Sequence, residues 1–183
     1  MAPIQNAALL YVEVPTGYPE VGKHIKYVTD RTIDLDTVDL QGGVVTKNLV
    51  VSIDPYMRGR MRAADKKSYS PPFELNQPLT NFFVGKIVKS DNSKLKAGQY
   101  VYGIGVYEEY TVFPQARAET LHVLSEAQLQ LGLPLTTWVG AAGMPGQTAY
   151  YGLYTIGEPK KGETIFITGA SGAVGQIVGQ LGT

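Results

Sequence analysis

The stretch Thr164–Thr183 decides the fold. It runs Thr-Ile-Phe-Ile-Thr, Gly-Ala-Ser-Gly-Ala-Val-Gly and Gln-Ile-Val-Gly-Gln-Leu-Gly-Thr. Its first five residues are β-branched or aromatic, which predicts a short buried parallel strand. Val174, Ile177, Val178 and Leu181 then fall at i, i+3, i+4 and i+7, the apolar stripe of a helix. Glycines separate the two patterns, so the stretch predicts a strand, a tight turn and a helix in that order.

This order of elements is typical of a site for the pyrophosphate of a dinucleotide. Backbone N–H groups can approach the phosphates where side chains are absent, and the helix N-terminus adds the positive end of its dipole. In the usual Gly-x-Gly-x-x-Gly fingerprint, Gly172 and Gly175 take the last two positions and Ala170 takes the first, with Gly169 one residue earlier. The predicted cofactor-binding residues are Ala170, Ser171, Gly172, Ala173, Val174, Gly175 and Gln176. A glycine turn that only joins a strand to a packing helix stays open as the alternative.

The composition excludes several classes of function. The chain has 183 residues, 44% of them hydrophobic, and its 16 basic and 16 acidic residues give a formal net charge of 0. We therefore expect neither nucleic acid nor an anionic membrane surface as a partner. No window is apolar enough for a membrane span, and the N-terminus does not resemble a signal peptide, which predicts a cytoplasmic protein. With no cysteine and two distant histidines, His24 and His122, we expect no disulfide, no cysteine nucleophile and no metal site.

Short strand patterns fill the first two thirds of the chain, with turn residues between them. This pattern predicts a small β-barrel or sandwich. The predicted strands are Ala7–Val14, His24–Thr29, Val44–Ile53, Phe82–Val88, Tyr100–Gly103 and Val106–Phe113. Ser125 and Gln128 have the spacing of a helix capping box. We therefore expect a β-rich domain over residues 1–125 and the start of an α/β domain over residues 126–183.

Three strings in sequence carry a resemblance to a known family. They are Asp54-Pro55-Tyr56-Met57-Arg58-Gly59-Arg60-Met61, then Gly143-Met144-Pro145-Gly146-Gln147-Thr148-Ala149-Tyr150, then Lys161-Gly162-Glu163 leading into Gly169–Gln176. Together they resemble the zinc-independent medium-chain dehydrogenase/reductases, and more narrowly the NADPH-dependent alkenal double-bond reductases and prostaglandin reductases. The resemblance runs from about Ala7 to the last residue.

The resemblance implies a GroES-like β-barrel domain followed by a Rossmann domain, and a homodimer in the full-length family. It implies NADPH as the cofactor, although the residues present do not decide between NADP and NAD. The reaction would be hydride transfer to the C=C bond of an α,β-unsaturated aldehyde or ketone. Tyr56 and Phe82 match substrate-contacting positions, and Met144 and Thr148 match positions beside the nicotinamide. Phe82 falls where some plant relatives carry a tyrosine, so their substrate range does not carry over.

Several alternatives stay open. Asp54 and Arg58 could instead pair across the turn while Tyr56 packs, and Met144 and Thr148 could serve only helix packing. One strand and one helix follow Glu163, whereas a Rossmann domain has six strands, so we expect the remaining strands and the family's catalytic tyrosine to lie outside this sequence. The chain would then correspond to the N-terminal half of a reductase. A non-catalytic β-domain that serves as an interaction module, and a quinone reductase, are the competing functions.

Overall fold

The computed structural model describes residues 2–183 and divides the chain into two compact units. The first extends to Gln128, and the second is Leu129–Thr183. Within the described residues, every strand that the structure contains lies in the first unit. In the same range, no helix is both long and apolar enough to cross a lipid bilayer.

The first unit is built from short antiparallel strands. They are β1 (Ile4–Gln5), β2 (Ala8–Tyr11), β3 (Ile25–Val28), β4 (Thr32–Ile33), β5 (Val44–Val51), β6 (Gln77–Pro78), β7 (Thr80–Ser90), β8 (Tyr100–Val106), β9 (Tyr110–Phe113) and β10 (His122–Val123). They form a five-stranded sheet in the order β10-β8-β7-β5-β9, a three-stranded sheet β3-β2-β6 and a pair β1-β4. The predicted β-rich domain is therefore present. Over residues 2–183 the sheets do not join into one closed barrel, so the barrel stays a prediction.

The core of the first unit lies on one face of β7, the longest strand. Its odd-numbered positions from Asn81 to Ile87 are buried because successive side chains on a strand point to opposite faces. Phe83 stacks on Phe113, with ring centroids 5.5 Å apart. The neighbouring strand β5 bulges at Leu49, where the pairing with β7 shifts register. The bulge lies opposite Val84 and Gly85.

Three short helices complete this part of the chain: α1 (Met57–Arg60), α2 (Gln115–Ala118) and α3 (Glu126–Gln130). The predicted capping box at the start of α3 is confirmed. The Gln128 N–H donates to Ser125 Oγ at 3.2 Å, and Gln128 Oε1 accepts from the Ser125 N–H at 2.8 Å. The point that divides the two units falls inside this helix.

The second unit is helical. A 3₁₀ turn at Leu135–Trp138 precedes α4 (Met144–Tyr150), which continues as a π-helix over Tyr151–Gly157, and α5 (Ala173–Leu181) follows. The helix α4 begins one residue after Gly143. Pro145 accounts for this start, because proline suits the first turn of a helix, where its absent N–H is not needed.

The predicted strand at Thr164–Thr168 is wrong in this structure. Glu163–Ile167 carry no strand pairing, and Phe166 is 90% exposed instead of buried. A strand needs a neighbour to bond its N–H and C=O groups. The side chains of this segment favour a strand, but among the described residues no other strand pairs with it. The turn and the helix that follow are present as predicted.

Candidate functional site

Each unit contains candidate functional residues, and the two groups are described separately. In the first unit, Tyr56 is the residue that opens α1, directly after the Asp54-Pro55 step that ends the β5 segment. The Met57 N–H donates to the Asp54 carbonyl at 3.0 Å, which closes the turn. The half-buried Tyr56 ring packs against an apolar cluster, whose members are Tyr11, Met57, Met61, Phe73, Leu79 and Tyr107. Proline therefore sets the backbone direction and the cluster holds the ring.

The Tyr56 hydroxyl donates to Asn81 Oδ1 at 2.5 Å. Asn81 is fully buried on β7, and its Nδ2 donates to Asp54 Oδ2 at 2.6 Å and to the Ser52 carbonyl at 3.1 Å. Both of these partners only accept, so Nδ2 must face them and Oδ1 must face the tyrosine. The orientation of the Asn81 amide is thus determined by its neighbours. We call Tyr56, Asn81, Asp54 and Ser52 the tyrosine network.

Two phenols stay protonated here, that of Tyr56 in the tyrosine network and that of Tyr107 beside it. Burial raises the pKa of Tyr56, and the positive charge of Arg60 partly opposes that shift. Tyr107, whose hydroxyl donates to the Ser52 carbonyl, has its pKa raised to about 12, mainly by burial. Both phenols are therefore neutral hydrogen-bond donors near pH 7. Such donors suit an oxygen on which negative charge develops.

Arg58 does not pair with Asp54, so that alternative for the motif is wrong. Its Nη2 donates to the Gly17 carbonyl at 2.7 Å and to the Pro15 carbonyl at 3.4 Å. Asp54 instead accepts from Asn81. Arg58 thus ties the loop around Gly17 to α1.

Phe82 follows Asn81 on β7, so its side chain projects to the opposite face of the strand. It stacks on Tyr102, with centroids 5.6 Å apart and an angle of 6° between the rings. The structure therefore does not bring Phe82 next to the Tyr56 hydroxyl. Its contact with substrate stays a prediction.

In the second unit, Met144 and Thr148 lie one turn apart on α4. Thr148 Oγ1 donates to Met144 Sδ at 3.4 Å. Met144 is half-buried and Thr148 is exposed. The helix thus places both on one face. Their position beside a nicotinamide stays a prediction.

The glycine turn precedes α5, and its glycines differ in what they contribute. Gly169 has φ +61°, a left-handed conformation that favours glycine. A Cβ on Gly175 would lie 2.4 Å from the Gly169 carbonyl oxygen, so Gly175 lets the helix pass close to the turn. A Cβ on Gly172 would meet only that same oxygen, at 3.3 Å. Gly169 and Gly175 therefore shape the turn, whereas Gly172 leaves space in front of the helix.

The start of α5 fits a phosphate group. Its N-cap, Gly172, has no side chain, so no side-chain hydrogen bond caps the first N–H groups of the helix. Ala170, Ser171 and Ala173 are exposed around it. Gln176 bends back, and its Nε2 donates to the Ser171 carbonyl at 2.7 Å. An uncapped helix start behind exposed small residues is the arrangement that dinucleotide phosphates use.

Sequence reasoning missed Asn81 and the role of Asp54. The sequence did contain a signal. Asn81 is polar, but it lies on the same face of β7 as Phe83 and Ile87, which are apolar and buried. A buried polar side chain needs partners, so this position indicated a hydrogen-bond network. Over residues 2–183 the structure contains no cluster of three or more His, Cys, Asp or Glu side chains that could hold a metal ion.

Comparison with known proteins shows the family of the chain. Residues 12–121, more than half of the chain, match the family described as the N-terminal domain of oxidoreductase. The chain is 43% identical over 177 residues to the NADP-dependent oxidoreductase RED1 of Cochliobolus heterostrophus, covering 97% of this chain and 49% of that protein. It is 40% identical over 178 residues to the 2-alkenal reductase (NADP(+)-dependent) of Nicotiana tabacum, with the same coverage of 97% and 49%.

A solved structure is similar at the level of the fold. CurA from Vibrio vulnificus, in complex with NADPH, superposes with a TM-score of 0.80 at 29% identity, covering 96% of this chain and 48% of CurA. The chain thus spans about half the length of the curated relatives that it matches. Because residues 12–121 match its model, the chain belongs to the family described as the N-terminal domain of oxidoreductase, within the medium-chain dehydrogenase/reductases.

Proposed function

We propose that this chain supplies the substrate-side domain and the phosphate-binding turn of an NADPH-dependent reductase that acts on the C=C bond of α,β-unsaturated aldehydes or ketones. The observation that carries the proposal is the glycine turn, whose geometry leaves the start of α5 open to a phosphate. The relatives support the choice of cofactor and substrate class, since they include a 2-alkenal reductase and a curcumin reductase that depend on NADP or NADPH. A GroES-like arrangement of the first unit belongs to the same proposal.

The residues that would hold the cofactor are Ala170–Gln176 at its phosphates and Met144 and Thr148 beside its nicotinamide. NADPH bound there would supply a hydride to the β-carbon of the substrate. Electron density from the C=C bond then moves to the carbonyl oxygen as an enolate, and a proton from water completes the α-carbon. This chain's contribution on the substrate side is Tyr56, whose neutral hydroxyl donates a hydrogen bond to the oxygen as it becomes negative.

The test uses this chain joined to the C-terminal half of the Nicotiana tabacum 2-alkenal reductase; we call this protein the hybrid. We expect the hybrid to consume NADPH with 2-hexenal faster than with a quinone. Tyr56→Phe should lower kcat/KM by more than about 2- to 12-fold, which is the loss for one neutral hydrogen bond, because a bond to a developing negative charge is stronger. The matched control is Tyr27→Phe, which removes a hydroxyl from an exposed side chain on β3. Consumption with quinones alone would reject the substrate class.

The glycine turn is tested by affinity. We expect little or no saturable NADPH binding by the 183-residue chain alone at micromolar cofactor, because the adenosine and nicotinamide contacts need later strands of such a domain. In the hybrid, Gly172→Val should abolish NADPH binding while the fold persists, because φ −75° and ψ 163° suit any residue. Unchanged affinity in Gly172→Val would remove the turn from the proposal.

A further inference from the structure

The Tyr56 hydroxyl has a single proton, and in this structure that proton is already engaged by Asn81 Oδ1. Asn81 cannot turn its NH₂ group toward the tyrosine without placing its oxygen against Asp54 and the Ser52 carbonyl, which are both acceptors. The bond is therefore a fixed feature of the tyrosine network. A substrate oxygen can take the Tyr56 proton only by displacing Asn81.

We propose that Asn81 is a positioning residue that withholds the Tyr56 hydrogen bond from a neutral substrate carbonyl and releases it when negative charge develops on the oxygen. The inference rests on the proposed function, because it takes Tyr56 as the donor to the substrate. In this proposal Asn81, which does not touch the substrate, determines at which stage of the reaction Tyr56 donates its hydrogen bond.

The reason is the difference between the two states of the substrate oxygen. If a neutral carbonyl displaced Asn81, the exchange would replace one neutral hydrogen bond by another and leave the fully buried Asn81 oxygen without its donor. An enolate oxygen instead forms a charge-assisted bond, which is roughly twice as strong as a neutral one. The exchange is thus unfavourable in the ground state and favourable in the transition state. An interaction made only in the transition state raises kcat and leaves KM unchanged.

The first test needs no activity and uses the 183-residue chain. Its 12 tyrosines are labelled with ¹³C at Cζ, and Tyr56→Phe identifies the Tyr56 signal, which is then titrated with pH. Asn81→Ala should lower the measured Tyr56 pKa by about half a unit to one unit, because the neutral phenol loses its acceptor. A double variant, Asp54→Asn with Asn81→Asp, exchanges the two side chains while keeping their size. It should raise the Tyr56 pKa by about one unit or more, because the charge moves onto the group that accepts the proton.

The second test measures kcat and KM in the hybrid, because these show whether Tyr56 bonds the substrate oxygen in the ground state or only in the transition state. The exchanged double variant should lower kcat with 2-hexenal about tenfold and leave KM within about twofold, because a charged acceptor at residue 81 holds the Tyr56 proton more tightly. Tyr27→Phe is again the control, since it removes a hydroxyl from an exposed side chain on β3 and leaves Tyr56 bonded to Asn81. It should retain the wild-type kcat.

The outcomes separate the two proposals. An unchanged Tyr56 pKa in both folded variants would show that Asn81 does not hold the proton and would overturn the inference. A rise in KM with unchanged kcat would also overturn it, because the substrate would then take the proton in the ground state. A hybrid without reductase activity rejects the proposed function instead, while the titration still decides whether Asn81 holds the proton. If Asn81→Ala does not fold, the size-matched double variant supplies the titration result.

Discussion

Glu108 lies with 11% of its side chain exposed, in the connection between β8 and β9. Its Oε1 accepts from Thr111 Oγ1 at 3.1 Å, and its Oε2 accepts from Arg31 Nη2 at 3.2 Å. Burial nevertheless raises the pKa of Glu108, and the Thr111 hydrogen bond and the charge of Arg31 only partly oppose it. At this residue desolvation outweighs the ion pair.

This balance predicts a pH dependence of stability. Because the pKa of Glu108 is higher in the folded state than in the unfolded chain, the folded state binds more protons between the two values. The contribution of Glu108 is therefore fully present below the unfolded value and is lost as the pH rises through the folded value. In Glu108→Gln this loss should disappear, so the variant's free energy of unfolding relative to wild type should increase from pH 4 upward. Urea unfolding at several pH values measures it.

The control for this prediction is Glu119→Gln, which changes an exposed glutamate on the same unit. Its stability relative to wild type should change less between pH 4 and pH 7. A constant difference between Glu108→Gln and wild type over that range would contradict the role of burial.

At the scale of the strand, β7 depends on glycine to make room for an aromatic ring. A Cβ on Gly85 would lie 2.7 Å from Cε2 of the fully buried Phe83 and 3.1 Å from the Lys47 carbonyl oxygen. We expect Gly85→Ala to destabilise the protein by about 1–3 kcal/mol, because neither the ring nor the backbone of β5 can move away. In α1, a Cβ on Gly59 would meet nothing within 4 Å. Chemical denaturation should therefore show Gly59→Ala as neutral or slightly stabilising, and equal losses in both variants would contradict this account.

Two arginines on and beside α1 tie different loops to the helix. Arg58 donates to the carbonyls of Pro15 and Gly17, whereas Arg62 donates to those of Lys66 and Ser70. Arg58→Ala should increase amide hydrogen exchange in residues 15–19 and leave residues 63–70 unchanged, because only the first loop loses its hydrogen bonds. Arg62→Ala should give the reverse pattern. Each variant is thus the other's control, and exchange that rises in both loops in both variants would refute the separate ties.

The elements were predictable from sequence where the information is local. The capping box at Ser125 and the amphipathic stripe of α5 depend on residues a few positions apart, and both predictions are confirmed. The strand at Thr164 was not predictable, because a strand exists only through a neighbour that the local pattern does not describe. The partner of Tyr56 was missed for the same reason: Asn81 is 25 residues away and meets it only through the pairing of β5 with β7.

At the scale of the whole molecule, the two units differ in how their backbone is held. In the first, β5 is bonded on both sides, to β7 and to β9. In the second, the segment between the π-helix and α5 has no strand or helix. Ile156, near the end of the π-helix, is 81% exposed, and Phe166, within the segment, is 90% exposed. Backbone that lacks a hydrogen-bonded neighbour opens at low cost in free energy.

The last prediction is that limited trypsin digestion cuts first after Lys160 or Lys161 and leaves a resistant N-terminal core. A protease needs several residues in an extended, unbonded conformation, and this exposed segment can adopt it without unfolding either helix. Lys47 provides the comparison within the same chain. Its side chain is also exposed, but its backbone pairs with Lys86 on one side and Tyr110 on the other, so cleavage there requires the sheet to open. Intact-mass analysis of the first fragments decides the matter, and an early cut at Lys47 would mean that the sheet is not the stable part of the protein.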